Sequence, residues 1–263
     1  MFGDPTAYER FMGAWSVLLA PVFLDAVRLD ALRPPTRVLD LGSGTGNLAR
    51  SVAVRWPKCE VVGVDPTQGF VDAARHRAGS DGHAERLRFE LGVADDLPLR
   101  DDAVDAALSL LVLTFVPDPH SATREMLRVT RPGGVLAAAV WDYGQGMTML
   151  RTLWDAAARL DPLVVGQDEA SAPLGRSGGL AGLWRDSGVV EVEDGAVEVR
   201  RRFETFEEYW QLFLLGTGPA GVYVTGLPAA GRAALRAEVL GDLGPGSSEF
   251  TSRAWWVRGT ASG

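Results

Sequence analysis

The sequence predicts a doubly wound α/β fold, in which a mostly parallel sheet is covered by helices on both faces. Three observations carry this. Between residues 36 and 141, short apolar runs alternate with segments of helical periodicity. The runs are separated by glycine, proline or acidic breaks of the kind that turn a chain between elements. With 46% hydrophobic and 23% charged residues, the 263-residue chain has an ordinary globular composition and the length for one sizeable core, with or without a small cap.

In chain order, Trp15, Leu18, Leu19, Val22, Phe23 and Ala26 fall at helical spacing, and Pro21 is expected to kink or split that helix. Thr36–Leu41 is a strand, followed by the glycine-rich segment Gly42 to Gly46 and a helix at Asn47–Arg55. Glu60–Val64 is a second strand, closed by Asp65-Pro66, with a short helix at Phe70–Arg77. Strands follow at Leu87–Leu91, Ala103–Ser109 and Val135–Trp141, the last two separated by a helix at Ser121–Thr130. Beyond the core come helices near Met149–Leu160 and Leu180–Asp186. Val189–Arg202 alternates like a strand, although Asp194-Gly195 could make a hairpin turn inside it. Thr205–Leu215 and Ala229–Leu240 read as helices and Phe250–Gly259 as a final strand.

The net charge of −8 argues against a polyanionic partner such as nucleic acid. The single cysteine, Cys59, excludes an intrachain disulfide, and three scattered histidines make a metal cage unexpected. The first ten residues are polar and acidic, unlike a signal peptide. The longest apolar run, Ala103–Val116, is broken by Asp105, Ser109 and Thr114. The expectation is a cytoplasmic protein without membrane contact.

The strongest chemical signal is Val38-Leu39-Asp40-Leu41-Gly42-Ser43-Gly44-Thr45-Gly46-Asn47. A strand entering a glycine turn and then a helix brings backbone N–H groups against a ligand. Asp65, at the end of the second strand, is well placed to accept both hydroxyls of a ribose. The segment lacks the Gly-Lys-Ser/Thr of a P-loop, and Asn47 stands where a nicotinamide fingerprint has its last glycine. Asp40 would repel a pyrophosphate and suits a cationic ligand; S-adenosylmethionine (SAM) carries an ammonium and a sulfonium and no phosphate. The plainer readings are a strand-to-helix turn with no ligand for the glycine segment, and a strand-end cap for Asp65.

Across residues 6–145 the sequence resembles class I SAM-dependent methyltransferases, in the small-molecule branch related to ubiquinone and menaquinone biosynthesis. Asp40 to Gly46 matches the first family motif, Asp65 the acid on the second strand, Gly92-Val93-Ala94-Asp95-Asp96-Leu97-Pro98 the motif near adenine, and Leu127 to Gly134 the turn before strand five. Tyr8 to Ser16 resembles a segment that closes over the cofactor in relatives. The resemblance implies a Rossmann-like sheet of seven strands with the last antiparallel, an N-terminal helical lid over residues 1–30, and a methyltransferase domain over 31–263 with a cap insert around 203–249. It implies SAM as cofactor, S-adenosylhomocysteine as product, no metal, and a site including Asp40, Gly42, Ser43, Gly44, Asp65, Pro66, Ala94, Asp95, Leu110, Tyr8 and Trp15. Two positions depart from the pattern. Val93 replaces an aspartate that contacts adenine, and Thr114 replaces the histidine that would be the familiar general base.

Trp141, Tyr209, Phe213 and Tyr223 are candidate walls of an acceptor pocket. Asp142 and Tyr143, just after strand five, are the candidate proton acceptors. The partner expected is a small, largely apolar methyl acceptor, and Thr205–Leu215 could also form a homodimer contact. A SAM-binding protein with other chemistry, or with a non-catalytic role, is the alternative.

Overall fold

The computed structural model describes residues 4–29, 34–167, 170 and 172–262. A seven-stranded sheet runs in the order β3-β2-β1-β4-β5-β7-β6. Its strands are β1 Arg37–Leu41, β2 Glu60–Asp65, β3 Leu87–Leu91, β4 Val104–Leu110, β5 Thr130–Trp141, β6 Val190–Phe203 and β7 Ser248–Thr260. The first five pair in parallel, and β7 runs antiparallel to both β5 and β6.

The central strands are buried on both sides, so their side chains alternate between two apolar clusters. Val38 and Val61 face α2 (Ala14–Val27), α3 (Asn47–Arg55) and α4 (Gln68–Ser80). Leu39, Leu41, Val62 and Val64 face α5 (Pro119–Val129) and α7 (Gly179–Asp186). The first cluster also takes in α6 (Thr148–Leu160) and the helices between β6 and β7, which are α8 (Phe206–Phe213), α9 (Gly218–Gly226) and α10 (Ala229–Leu243).

Three local features go beyond or against the sequence reading. Pro21 does not split its helix: α1 (Pro5–Tyr8), a π-helical turn over Glu9–Gly13, and α2 form one run through Val27. Pro21 leaves the carbonyl of Val17 without its helical donor, and both residues lie on the solvent side of the helix, where water can serve that oxygen. This run is long and apolar enough to cross a membrane by length and composition, but its Trp15, Leu19, Phe23, Leu24 and Val27 are buried against the sheet. Asp194-Gly195 makes no hairpin. β6 is continuous there because the indole of Trp256 occupies the space beside Gly195, 2.9 Å from where a Cβ would stand. α9 escapes sequence reading because three of its nine residues are glycine.

Phe11 and Trp15, assigned to the lid by sequence, are 3% and 0% exposed and belong to the core. That half of the segment cannot lift away without opening the hydrophobic cluster.

Candidate functional site

β1 delivers the chain to the turn at Gly42–Gly46 at the carboxyl edge of the sheet. Gly42, Gly44 and Gly46 have φ of 70°, 52° and 84°, the left-handed region that glycine occupies without steric cost. A Cβ on Gly42 would lie 2.4 Å from a methyl of Val112, whereas nothing stands within 4 Å of one on Gly44. The turn is pinned to the end of β2. The N–H groups of Gly42 and Ser43 donate to the carbonyl of Val64 at 2.7 and 3.1 Å, and Gly44 N–H donates to Asp65 Oδ2 at 2.9 Å. The other Asp65 oxygen accepts Thr67 N–H at 2.9 Å. Asp65 is therefore a structural clasp, and each of its oxygens keeps lone-pair capacity. Burial raises its pKa, opposed by those backbone hydrogen bonds.

Asp40 lies beneath the turn, 1% exposed, and accepts the N–H of Ala49 in the first turn of α3 at 3.0 Å. Burial pushes its pKa up to about 7, the Ala49 hydrogen bond opposes this, and the charge of Asp65 adds to it. Ser43 Oγ is buried without a partner.

The N-terminal helix is fastened to the same turn. The Glu9 carboxylate accepts from Thr45 Oγ1, from Asn47 Nδ2 at 3.2 Å, and pairs with Arg77 at 2.9 Å. Asn47 Nδ2 also donates to Ser16 Oγ at 2.8 Å. Sequence reading passed over Glu9, whose signal was its place between Tyr8 and Phe11 in the matched segment. Tyr8 packs edge-on against Phe70, with ring centroids 5.3 Å apart. Burial first, and the neighbouring Glu9 and Asp65 charges next, raise the Tyr8 pKa above its ordinary value, so the phenol stays protonated.

A cavity of about 410 Å³ opens over these elements. One end is walled by Gly42, Gly44, Asp65, Pro66 and Thr67, with Val93, Ala94 and Asp95 beside them; the other by Met12, Phe115, Trp141 and Tyr143. Leu111, a non-glycine residue with φ of 67°, and Val112 lie between them, so one strained backbone position falls in the cavity wall. Phe115 meets Tyr143 edge-on at 6.5 Å. Among the described lining residues there are two carboxylates and no lysine, arginine or histidine.

Tyr8, Gly42, Gly44, Asp65, Pro66, Ala94, Asp95, Trp141 and Tyr143 thus converge as the sequence suggests. Others lie off the cavity wall. Asp142 is 5% exposed, accepts both Nε and Nη2 of Arg253 at 2.9 and 2.6 Å and also Gln145 N–H, so it is consumed in holding β5 to β7. Tyr209 is fully buried, donates to the carbonyl of Met149 at 2.9 Å and stacks on Phe250. Phe213 packs against Phe11 and Tyr209, and Tyr223 against Trp154. These rings join the helices after β6 to the core, since burying an aromatic surface outweighs presenting it to a solvated pocket. Trp15 backs the cavity through its edge contact with Trp141 at 6.5 Å, while Asp40, Ser43 and Leu110 sit behind the wall, which Leu111 supplies in place of Leu110. Thr67, Phe70, Val112 and Phe115 line it without having been singled out. Only the turn geometry after β2 and β4 brings them there.

Residues 39–138 match the family described as "Methyltransferase domain". An uncharacterised protein of Mycobacterium tuberculosis is 28% identical over 207 residues, covering 77% of this chain and 71% of that protein. A ubiquinone/menaquinone biosynthesis C-methyltransferase of Geotalea daltonii is 29% identical over 110 residues, 41% of this chain and 47% of that one. A geranyl diphosphate methyltransferase solved with SAM superposes with a TM-score of 0.54 at 17% identity, covering 93% of this chain and 85% of that chain, which bears on the fold.

Proposed function

We propose that the chain is a class I SAM-dependent methyltransferase, in keeping with its match to a methyltransferase domain over residues 39–138, and that it methylates a small, largely apolar acceptor bound at the aromatic end of the cavity, beside Phe115, Trp141 and Tyr143. The observation that carries this reading is the continuity of one cavity from the glycine turn and Asp65 to that apolar, aromatic wall. The lining fits the cofactor. Gly44 is open where a side chain would intrude, Asp65 has lone pairs left for a diol, and two carboxylates with no cation suit a positively charged ligand better than a phosphate.

When bound, SAM supplies a methyl group on a sulfonium that is already an activated leaving group. The protein's part is to hold, orient and keep dry. Asp65 and the Gly44 backbone fix the ribose end. Tyr8 and Met12 close the cavity from the N-terminal side and exclude water. Tyr8, kept protonated, can donate or accept a hydrogen bond but does not take up a proton, so a proton leaving the acceptor passes to solvent, and the Tyr143 hydroxyl at the wall can relay it only by giving up its own. Incubation of the purified chain with isotopically labelled SAM and cell extract, followed by isolation of the labelled small molecule, tests the reading. Label recovered in a small apolar product supports it, and label recovered only in protein or nucleic acid overturns it.

A further inference from the structure

β6 is the outermost strand of the sheet beside β7, and among the described residues no strand lies beyond it. It is 14 residues long and contains neither proline nor lysine. A free edge of this kind presents a row of unpaired N–H and C=O groups, and proteins commonly blunt one with proline, lysine or a bulge. Here the only bulge is at its start, between Val190 and Glu193, where Glu191 has φ of 52°. The ten residues Asp194–Phe203 pair with β7 in unbroken register, and among the described residues no strand pairs with their other side.

The charges along this edge are segregated. Its first half carries Glu191, Glu193 and Asp194, and its second half Glu198 followed by Arg200, Arg201 and Arg202. A strand that is acidic at one end and basic at the other is complementary to itself when turned antiparallel. We infer that β6 pairs with β6 of a second copy of this chain, about a two-fold axis through Val197, to make one continuous sheet of both copies. An axis normal to the sheet keeps the same face upward in both copies, so a residue must oppose one of equal parity. With Val197 on the axis, Asp194 faces Arg200, Glu193 faces Arg201 and Ala196 faces Glu198, each pair occurring twice. The alternative axis through Glu198 sets two glutamates against each other.

Several of these charges already have partners, since Glu193 pairs with Arg28 at 2.8 Å, Arg202 with Glu204 at 3.1 Å, and Arg201 lies over the Phe203 ring, but the two that would form the Asp194–Arg200 pairs are weakly held. Arg200 reaches Glu249 at 3.5 Å and Asp194 reaches Arg185 at 3.9 Å, both exposed pairs of small worth. α8 offers no competing contact, because Phe206, Tyr209, Trp210, Leu212 and Phe213 are buried within the chain. The cavity opens at the carboxyl ends of β1 and β4, away from this edge, so pairing leaves it accessible.

Sedimentation velocity of the full chain over a concentration series, with site-specific crosslinking, tests the inference. Cys59 is buried and serves as a silent background. Opposed residues in an antiparallel pair lie about 4.5–5.5 Å apart at Cα, within disulfide reach, so Val197→Cys should give a covalent dimer under mild oxidation and Glu198→Cys should not. Arg200→Asp should weaken the dimer by about tenfold or more, since two attractions become repulsions. The exchange Asp194→Arg with Arg200→Asp should restore it. A chain that stays monomeric throughout, a dimer indifferent to both reversals, or a Val197→Cys protein that fails to crosslink overturns the proposal. So does pairing of this edge with a strand of a different protein while the chain alone remains monomeric.

Discussion

Replacing Asp65 separates its two duties, clasping the glycine turn and receiving a ligand. In the ligand-free protein Asp65→Ala leaves the N–H groups of Gly44 and Thr67 without their carboxylate acceptor. A buried unsatisfied donor costs about 1–3 kcal/mol, and water entering the adjacent cavity returns part of that, so the expected loss of stability is about 1–3 kcal/mol in all. Asp65→Asn retains one carbonyl oxygen and should lose less. Ligand affinity behaves differently. A charge-assisted hydrogen bond to a hydroxyl contributes about 1.5–3 kcal/mol, and asparagine cannot supply the charge. Both variants should therefore bind SAM at least about tenfold more weakly, a difference of about 1.4 kcal/mol. Calorimetric titration with SAM and with S-adenosylhomocysteine measures the affinity, and urea unfolding of the ligand-free protein measures the clasp. Parental affinity in both variants refutes the ribose role of Asp65. Weak binding in proportion to lost stability in alanine, with normal binding in asparagine, reduces the residue to a clasp.

Asp40, with a folded pKa near 7 against an unfolded value near 4, holds a proton that the unfolded chain has released between those pH values. Its contribution to stability is fully present below about pH 4 and is lost as pH rises through 7, so Asp40→Asn should flatten the fall in unfolding free energy over that window. A slope unchanged by the substitution would show that Asp40 ionises normally. Gly44→Ala should cost only about 1–2 kcal/mol of left-handed backbone strain, because its Cβ meets nothing, yet weaken SAM binding; Gly42→Ala should cost more, through collision with Val112, as thermal unfolding will show. Trp15→Ala should destabilise the chain by about 3–5 kcal/mol by chemical denaturation, and deletion of residues 1–16 should leave an aggregating protein; a stable, soluble deletion variant would contradict the core placement of this helix. Asp142→Asn should lower stability through its pair with Arg253 without changing SAM affinity in the same titration.

The first five strands and the glycine turn are legible in the sequence for a physical reason. A strand covered on both faces must be apolar along its whole length, and a turn that needs φ above zero three times in five residues needs glycine. β6 is less legible because it lies at the edge, where alternating charge is tolerated and Asp-Gly reads as a turn; the indole of Trp256, 61 residues further on, makes that glycine a strand residue. The cavity shows the same division. Asp65 and Gly44 announce themselves by type and spacing. Trp141 and Tyr143 also reach the cavity, but Tyr209 and Phe213, equally aromatic, are spent inside the core, and a single chain of letters does not say which ring meets solvent. Asp142 illustrates the complementary failure. A carboxylate beside the site looks chemical until Arg253, from the neighbouring strand, is seen to neutralise it.

The position of β7 bears on how the protein is made. This strand is the last of the seven to be synthesised, yet it belongs between β5 and β6. While residues 204–247 emerge, a matter of seconds at translation rates of about 5–20 residues per second, β5 has an open flank and β6 has no strand beside it. The nascent chain therefore carries two adhesive strand edges until Ser248–Thr260 has emerged. A message cut short anywhere in the helices after β6 yields a product that cannot close its sheet, and such a fragment should be held by chaperones or degraded rather than accumulate as a partly working enzyme.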